Sequence, residues 1–300
     1  MRSALLRGRE HLEIGVTDVI AEGPVAIALS MGGAKKTYIH TDPNEDSVLF
    51  AVGGAGILAA LADGHRGFEA SEVVLEHLLA HPGPQWVEPG GVTPASWERH
   101  ALAAICDANG EILRERLDTE MGRSCTTLSL ALVLPESDAL LYACIGDSHL
   151  FQVRSDEVTD LAKANPVTGI DCFLGYTRET PETLAEKCLI GTEQLEDTFA
   201  VVLVSDGLSE VQIGVEDPAS VVAECVEIAR KAAPGRRPLE AARSIVEAAL
   251  ASHRKNASGD NVCAAVVWLE NEPTGSPARA GGIRDLGAAR PPAPRSHRQR

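Results

Sequence analysis

The sequence predicts an α+β fold in which antiparallel strands build the core and helices cover it. Three observations predict this. Short runs rich in Val, Leu, Ile and Ala recur along the first 270 residues. These runs come in neighbouring pairs joined by short turns, the pattern of hairpins and not of alternating strand–helix units. Long segments with apolar residues at helical spacing lie between the strand groups.

In chain order, the strand runs fall at 25–31, 48–52, 58–62, 126–134, 139–145, 150–153, 199–204 and 262–269. The run at 48–52 is expected to pair with 58–62, and 126–134 with 139–145 and then 150–153. A helix starts near Gly67, with Phe68, Val74, Leu75 and Leu78 as its apolar residues. Thr93-Pro94 supplies a cap and a first-turn proline, after which Trp97, Ala101, Ala104, Ile105, Ala108 and Ile112 share one face. Another helix fills 219–232. Pro238 opens the last one, where Leu239, Ala242, Ile245, Val246 and Ala249 keep helical spacing.

Residues 1–270 are read as one catalytic domain and 271–300 as a disordered tail, because the tail is rich in Pro, Ala, Gly and Arg and lacks core periodicity. Its six arginines face only Glu272 and Asp285, so the body is more acidic than the whole chain, whose formal net charge is −16. That charge excludes nucleic acid and anionic membrane as main partners. The longest apolar stretch, 51–62, holds three glycines and falls short of a membrane span. The N-terminus meets charge again at Arg7, Arg9 and Glu10, unlike a signal peptide. Seven cysteines with no C-x-x-C pair fit small buried residues in a reducing cytoplasm.

One motif is a decoy. Gly54-Ala55-Gly56 followed by Ala59 formally fits G-x-G-x-x-A for dinucleotides, but too few residues follow before Asp63-Gly64 for the helix that motif needs. A hairpin loop explains those glycines better.

Acidic residues gather at strand ends. Glu45-Asp46 precede a strand, Asp63-Gly64 and Asp206-Gly207 follow one, Asp260-Asn261 precede the last, and Asp147 sits in a turn. Each alone is ordinary turn chemistry. Brought to one edge of a sandwich, these carboxylates would repel each other unless cations sat between them, and hard oxygen donors select magnesium or manganese.

The ordered set resembles the metal-dependent (type 2C) serine/threonine protein phosphatases. The likeness rests on Asn44-Glu45-Asp46, Asp63-Gly64-His65, Cys125-Thr126-Thr127, Ile145-Gly146-Asp147-Ser148, Ser205-Asp206-Gly207-Leu208 and Gly259-Asp260-Asn261. It implies a four-layer αββα arrangement, an antiparallel β-sandwich with helices on both faces. It also implies two Mg2+ or Mn2+ ions, bridged by Asp63 with the Gly64 carbonyl as a further ligand. Asp206 and Asp260 would serve one ion, and Glu45 with Asp46 the other, largely through water. Asp147 and Glu210 fall where the family holds a weaker third ion. The implied reaction is hydrolysis of phosphoserine or phosphothreonine in a protein substrate by a metal-activated water, with His65 protonating the leaving alkoxide.

Two positions depart from the family. Its phosphate-binding arginine, five residues before the Asp of Asn-Glu-Asp, is Thr41 here, with His40 beside it and Lys35-Lys36 upstream. Its usual Asp-Gly-His-Gly-Gly reads Asp63-Gly64-His65-Arg66-Gly67, so Arg66 and His40 become the candidates for substrate phosphate. The intact carboxylates favour an enzyme. The missing arginine favours the competing class, a phosphatase-like binding module with weak or no turnover. Segment 163–197 corresponds to the family's variable flap.

Overall fold

The computed structural model describes residues 1–37, 43–118, 123–164, 173–269 and 283–285. A first sheet runs β1 (Arg2–Arg7), β4 (Ser47–Val52), β5 (Ile57–Ala62), β8 (Leu128–Leu134), β9 (Ala139–Ile145) and β12 (Leu189–Gln194), every pairing antiparallel. A second runs β11 (Val158–Asp160), β10 (His149–Arg154), β13 (Thr198–Val204), β14 (Val262–Trp268), β3 (Val25–Ser30), β2 (Asp18–Glu22) and β15 (Ile283–Asp285), again antiparallel throughout. A small pairing joins β6 (Gly64–His65) to β7 (Cys125–Thr126).

Two-sided burial explains why the strands read as continuous apolar runs. In β3, Val25, Ile27 and Leu29 face the first sheet, meeting Val48, Phe50, Ala59 and Leu61 in the layer between the sheets. Their neighbours Ala26 and Ala28 face outward, under α5 (Pro218–Arg230) and α6 (Arg237–Asn256). Leu49 and Ala51 of β4 likewise lie beneath α1 (Glu69–Ala80), α2 (Pro82–Trp86) and α3 (Trp97–Asp118). Every central strand is therefore apolar on both sides. A short α4 (Pro181–Ala185) packs Leu184 onto the first layer. The four-layer αββα fold is the one the sequence led us to expect.

Thr93 begins a capping box with Ser96, and α3 follows where its periodicity placed it. The glycines of the decoy motif close the β4–β5 hairpin, where the Gly53 amide donates to the Gly56 carbonyl at 3.0 Å. One expected pairing is corrected: β9 and β10 do not form a hairpin but belong to opposite sheets. Gly146, at φ +110°, turns the chain from one sheet to the other, and a Cβ there would stand 2.5 Å from the side chain of Thr127. The expected strand at 126–134 is also interrupted. Thr126 pairs with Gly64, while the Thr127 amide donates to the Asp63 carbonyl before β8 begins.

Of the tail at 271–300, only Ile283–Asp285 falls among the described residues, paired with β2. The disorder expected for the rest lies outside them. No helix among the described residues is long and apolar enough to cross a membrane.

Candidate metal centre

Antiparallel pairing puts the start of one strand beside the end of its neighbour. Ser47 opposes Ala62, so Asp46 and Asp63 leave the first sheet at the same rim. Val204 opposes Ala264, which puts Asp206 and Asp260 together at an end of the second sheet. The rims meet around a cavity of about 360 Å³ lined by Lys36, Glu45, Asp63, Gly64, His65, Arg66, Asp206, Glu210 and Asp260.

Buried polar bonds fix each arm. The Glu45 amide donates to Asn261 Oδ1 at 2.9 Å, and Asn261 Nδ2 donates to the Met31 carbonyl at 3.2 Å, tying the first sheet's acidic arm to the second's. Glu45 Oε1 accepts from the Gly67 amide. A Cβ on Gly64 would stand 2.5 Å from the Glu45 carbonyl oxygen, so only glycine lets these segments approach so closely. The Asp63 amide donates to Thr127 Oγ1 at 3.1 Å, and its carbonyl accepts from Thr126 Oγ1 at 2.9 Å. Asp46 Oδ2 accepts from Ser205 Oγ at 2.8 Å, and that hydroxyl in turn accepts from the Cys263 amide at 3.0 Å. The Asp206 carbonyl accepts from the amides of Ser209 and Glu210 at 2.7 and 2.6 Å, curling the turn that presents Glu210.

The charges are crowded. Burial and the charge of Asp206 hold the Asp63 carboxyl well above the usual carboxylate range. Burial and the charge of Asp260 do the same to Asp206, which is hydrogen-bonded to Asp63. Burial pushes Asp46 up to about 7, and the Ser205 hydrogen bond only partly opposes it. Ligand oxygens of Asp206, Glu210 and Asp260 all lie within 4.8 Å of one another. Carboxylate oxygens gathered this closely are the donor set of hard divalent cations. The residues present fit such ions.

His65 Nδ1 lies 3.7 Å from Asp63 Oδ1, and its ring centroid is 4.3 Å from that of Phe173. Burial holds its pKa below the ordinary histidine value, although Asp147 pulls the other way. Arg66 lines the cavity with φ +64°, a left-handed conformation unusual for a side chain of its kind. Asp147 is exposed on the crossover between sheets; its charge acts on Asp206 and Glu210, but it stands outside the three-carboxylate group. His40 and Thr41 lie outside the described residues.

Lys36 is the cation that motif spacing did not single out. Its side chain is 4% exposed, and Nζ lies 3.1 Å from Asp260 Oδ1 and 3.7 Å from Glu45 Oε2. Glycines nearby let its loop pack closely. The Gly259 amide donates to the Lys35 carbonyl at 3.0 Å, and a Cβ on Gly32 would stand 2.3 Å from the Asp260 carbonyl. The loop bearing Lys36 is thus pressed against the residues just before β14.

A family model described as protein phosphatase 2C matches residues 35–247. Comparison with curated proteins finds no match. Among solved structures, the chain is similar to the serine/threonine phosphatase Stp1 of Staphylococcus aureus, at 18% identity and TM-score 0.59, covering 87% of this chain and 98% of that one. It is similar to the Mycobacterium tuberculosis phosphatase PstP/Ppp at 24% identity and TM-score 0.56, covering 84% and 100%. The PstP catalytic domain in complex with two manganese ions gives 23% identity and TM-score 0.55, covering 84% and 98%. The matched segment spans more than two thirds of the sequence and holds every carboxylate described here except Asp260. The chain belongs to the protein phosphatase 2C family.

Proposed function

We propose that the carboxylate-lined cavity is the active centre of a Mg2+- or Mn2+-dependent phosphatase acting on phosphoserine or phosphothreonine in proteins. The observation that carries this is the convergence of Asp63, Asp206, Asp260, Glu45 and Glu210 on one cavity, with Asp46 directly behind Ser205.

In this reading Asp63, with the Gly64 carbonyl, would help hold both ions. Asp206 and Asp260 would hold one ion, and Glu45 with Asp46 the other. Glu210 and Asp147 would flank a third. Bound there, the ions supply Lewis-acid chemistry, acidifying water and offsetting the charge of the phosphoryl group. The chain's own residues do the rest. Lys36 and Arg66 offer cationic contacts to a phosphate dianion entering an otherwise anionic cavity. His65, which lines the cavity beside Asp63, would give a proton to the departing serine or threonine oxygen. A histidine held below its usual pKa is a stronger donor once charged, at the expense of its charged population. No serine or cysteine nucleophile is needed.

A binding module without turnover would be expected to lack a ligand, and none of the proposed ones is missing. In this reading residues 1–270 make up the catalytic unit and the setting is a reducing cytoplasm; the six described cysteines are all free. The test is hydrolysis of a phosphothreonine peptide by purified full-length protein with Mn2+ or Mg2+, against an EDTA control. Metal-dependent phosphate release is expected, and release that EDTA leaves untouched overturns the reading.

A further inference from the structure

Lys36 is a buried amine facing several carboxylates. Asp260 and Glu45 lie within ion-pair distance of its Nζ, and the charges of Asp46 and Asp63 also act on it. With a carboxylate oxygen at 3.1 Å and another at 3.7 Å, the side chain sits there as the counter-charge to this acidic cluster. The backbone leaves the loop little freedom to retreat. It is clamped by the Gly259–Lys35 hydrogen bond and by the 2.8 Å contact between the hydroxyls of Thr37 and Ser258. The ammonium is therefore held against oxygens that a metal ligand must present to its ion.

A divalent ion on Asp260 and an ammonium on the same carboxylate cannot both take their best positions, and their charges repel at short range. We propose that Lys36 is a built-in cation of the metal-free site, displaced when divalent ions bind and thereby released toward the substrate phosphate. The proposal rests on the metal-site reading above. It makes metal affinity a difference between two cations competing for one set of oxygens. It also links metal occupancy to the appearance of the phosphate contact, so that the ammonium is offered to substrate only once the ions are in place.

The test uses EDTA-stripped full-length protein, titrated with Mn2+ in a calorimeter as wild type, Lys36→Gln and Lys36→Met. Both variants should bind Mn2+ at least about tenfold more tightly, the scale of a nearby unit charge in a screened site. Their metal-free forms should melt lower than wild type, because the carboxylates lose their counter-charge. Equal or weaker Mn2+ affinity in the variants overturns the proposal. A second measurement needs no variant. Acetylation of wild type by an amine-reactive ester, read by peptide mass spectrometry, should label Lys36 several-fold faster with Mn2+ than without, relative to exposed Lys35. Unchanged or slower labelling of Lys36 overturns it as well. No Mn2+ binding by wild type overturns the metal-site reading itself, and this proposal with it.

Discussion

His253 Nε2 donates to the carbonyl oxygen of Gly207 at 2.7 Å, deep within the protein. Its Nδ1 accepts from the Gly33 amide at 3.2 Å, so the ring is held as one neutral tautomer, and burial keeps its pKa below the ordinary value. A single side chain from α6 thereby braces both the Asp206-Gly207 turn and the loop leading to Lys36. Replacing His253 with Ala leaves a buried amide and a buried carbonyl without partners. A loss of about 2–4 kcal/mol in chemical denaturation is expected, together with weaker Mn2+ binding by calorimetry. Wild-type stability would show that the brace contributes nothing.

Asp63→Asn should separate activity from stability. The variant removes a carboxylate proposed to hold the ions, and turnover of a phosphothreonine peptide should fall at least about 100-fold. In metal-free protein the same change removes a carboxyl crowded by Asp206, and the melting temperature should rise slightly. Differential scanning calorimetry with and without EDTA checks both signs. The Mn2+-induced rise in Tm seen in wild type should shrink in the variant.

Arg66→Gly tests a different trade. At φ +64° the arginine backbone carries a strain that glycine does not, of about 1 kcal/mol. Unfolding should therefore become no easier, while KM for a phosphopeptide rises several-fold through loss of a cationic contact. Unchanged KM would leave phosphate capture to the ions and Lys36.

The metal-free protein should lose stability as pH rises. Asp46 titrates near 3.8 when unfolded and about 7 when folded, and Asp63 and Asp206 are also raised. For an acid raised on folding, the native state binds more protons across that interval, so stability falls from about pH 4 to pH 7. His253, lowered on folding, acts in the opposite direction with or without metal. The measurement is therefore a comparison. Tm of EDTA-treated protein should decline between pH 5.5 and 7.5 relative to Mn2+-loaded protein, and parallel curves would contradict the crowding of carboxylates.

Much of this was legible beforehand for a physical reason. Strands buried on both faces must be continuously apolar, and β4, β5, β8, β13 and β14 announced themselves that way. Edge strands do not. The Leu189–Gln194 strand is mostly half-exposed and Arg2–Arg7 begins exposed, so neither stood out; Asp18–Glu22, which lies inside the second sheet, is short and has an acidic residue at each end. The β9–β10 crossover was missed because a tight turn between two apolar runs reads the same whether the chain stays in one sheet or changes sheets. Asp63, Asp206 and Asp260 could be picked out because a carboxylate beside glycine or asparagine at a strand end is a local pattern. Lys36 entered only as half of a basic pair upstream of Thr41, because its contact with Asp260 joins residues far apart in the chain and leaves no spacing to read.

The position of β14 has a consequence for how the molecule is made. It is the strand that joins β13 to β3, and it is the last of the central strands to leave the ribosome. Until it emerges, the second sheet exists only as two unconnected pieces, and the carboxylate just before it, Asp260, has no place to stand. A chain that stops before β14 carries Glu45, Asp46, Asp63 and Asp206 but lacks the strand that brings the last carboxylate to them. Closure of the second sheet and the arrival of Asp260 beside Asp206 are therefore one and the same event.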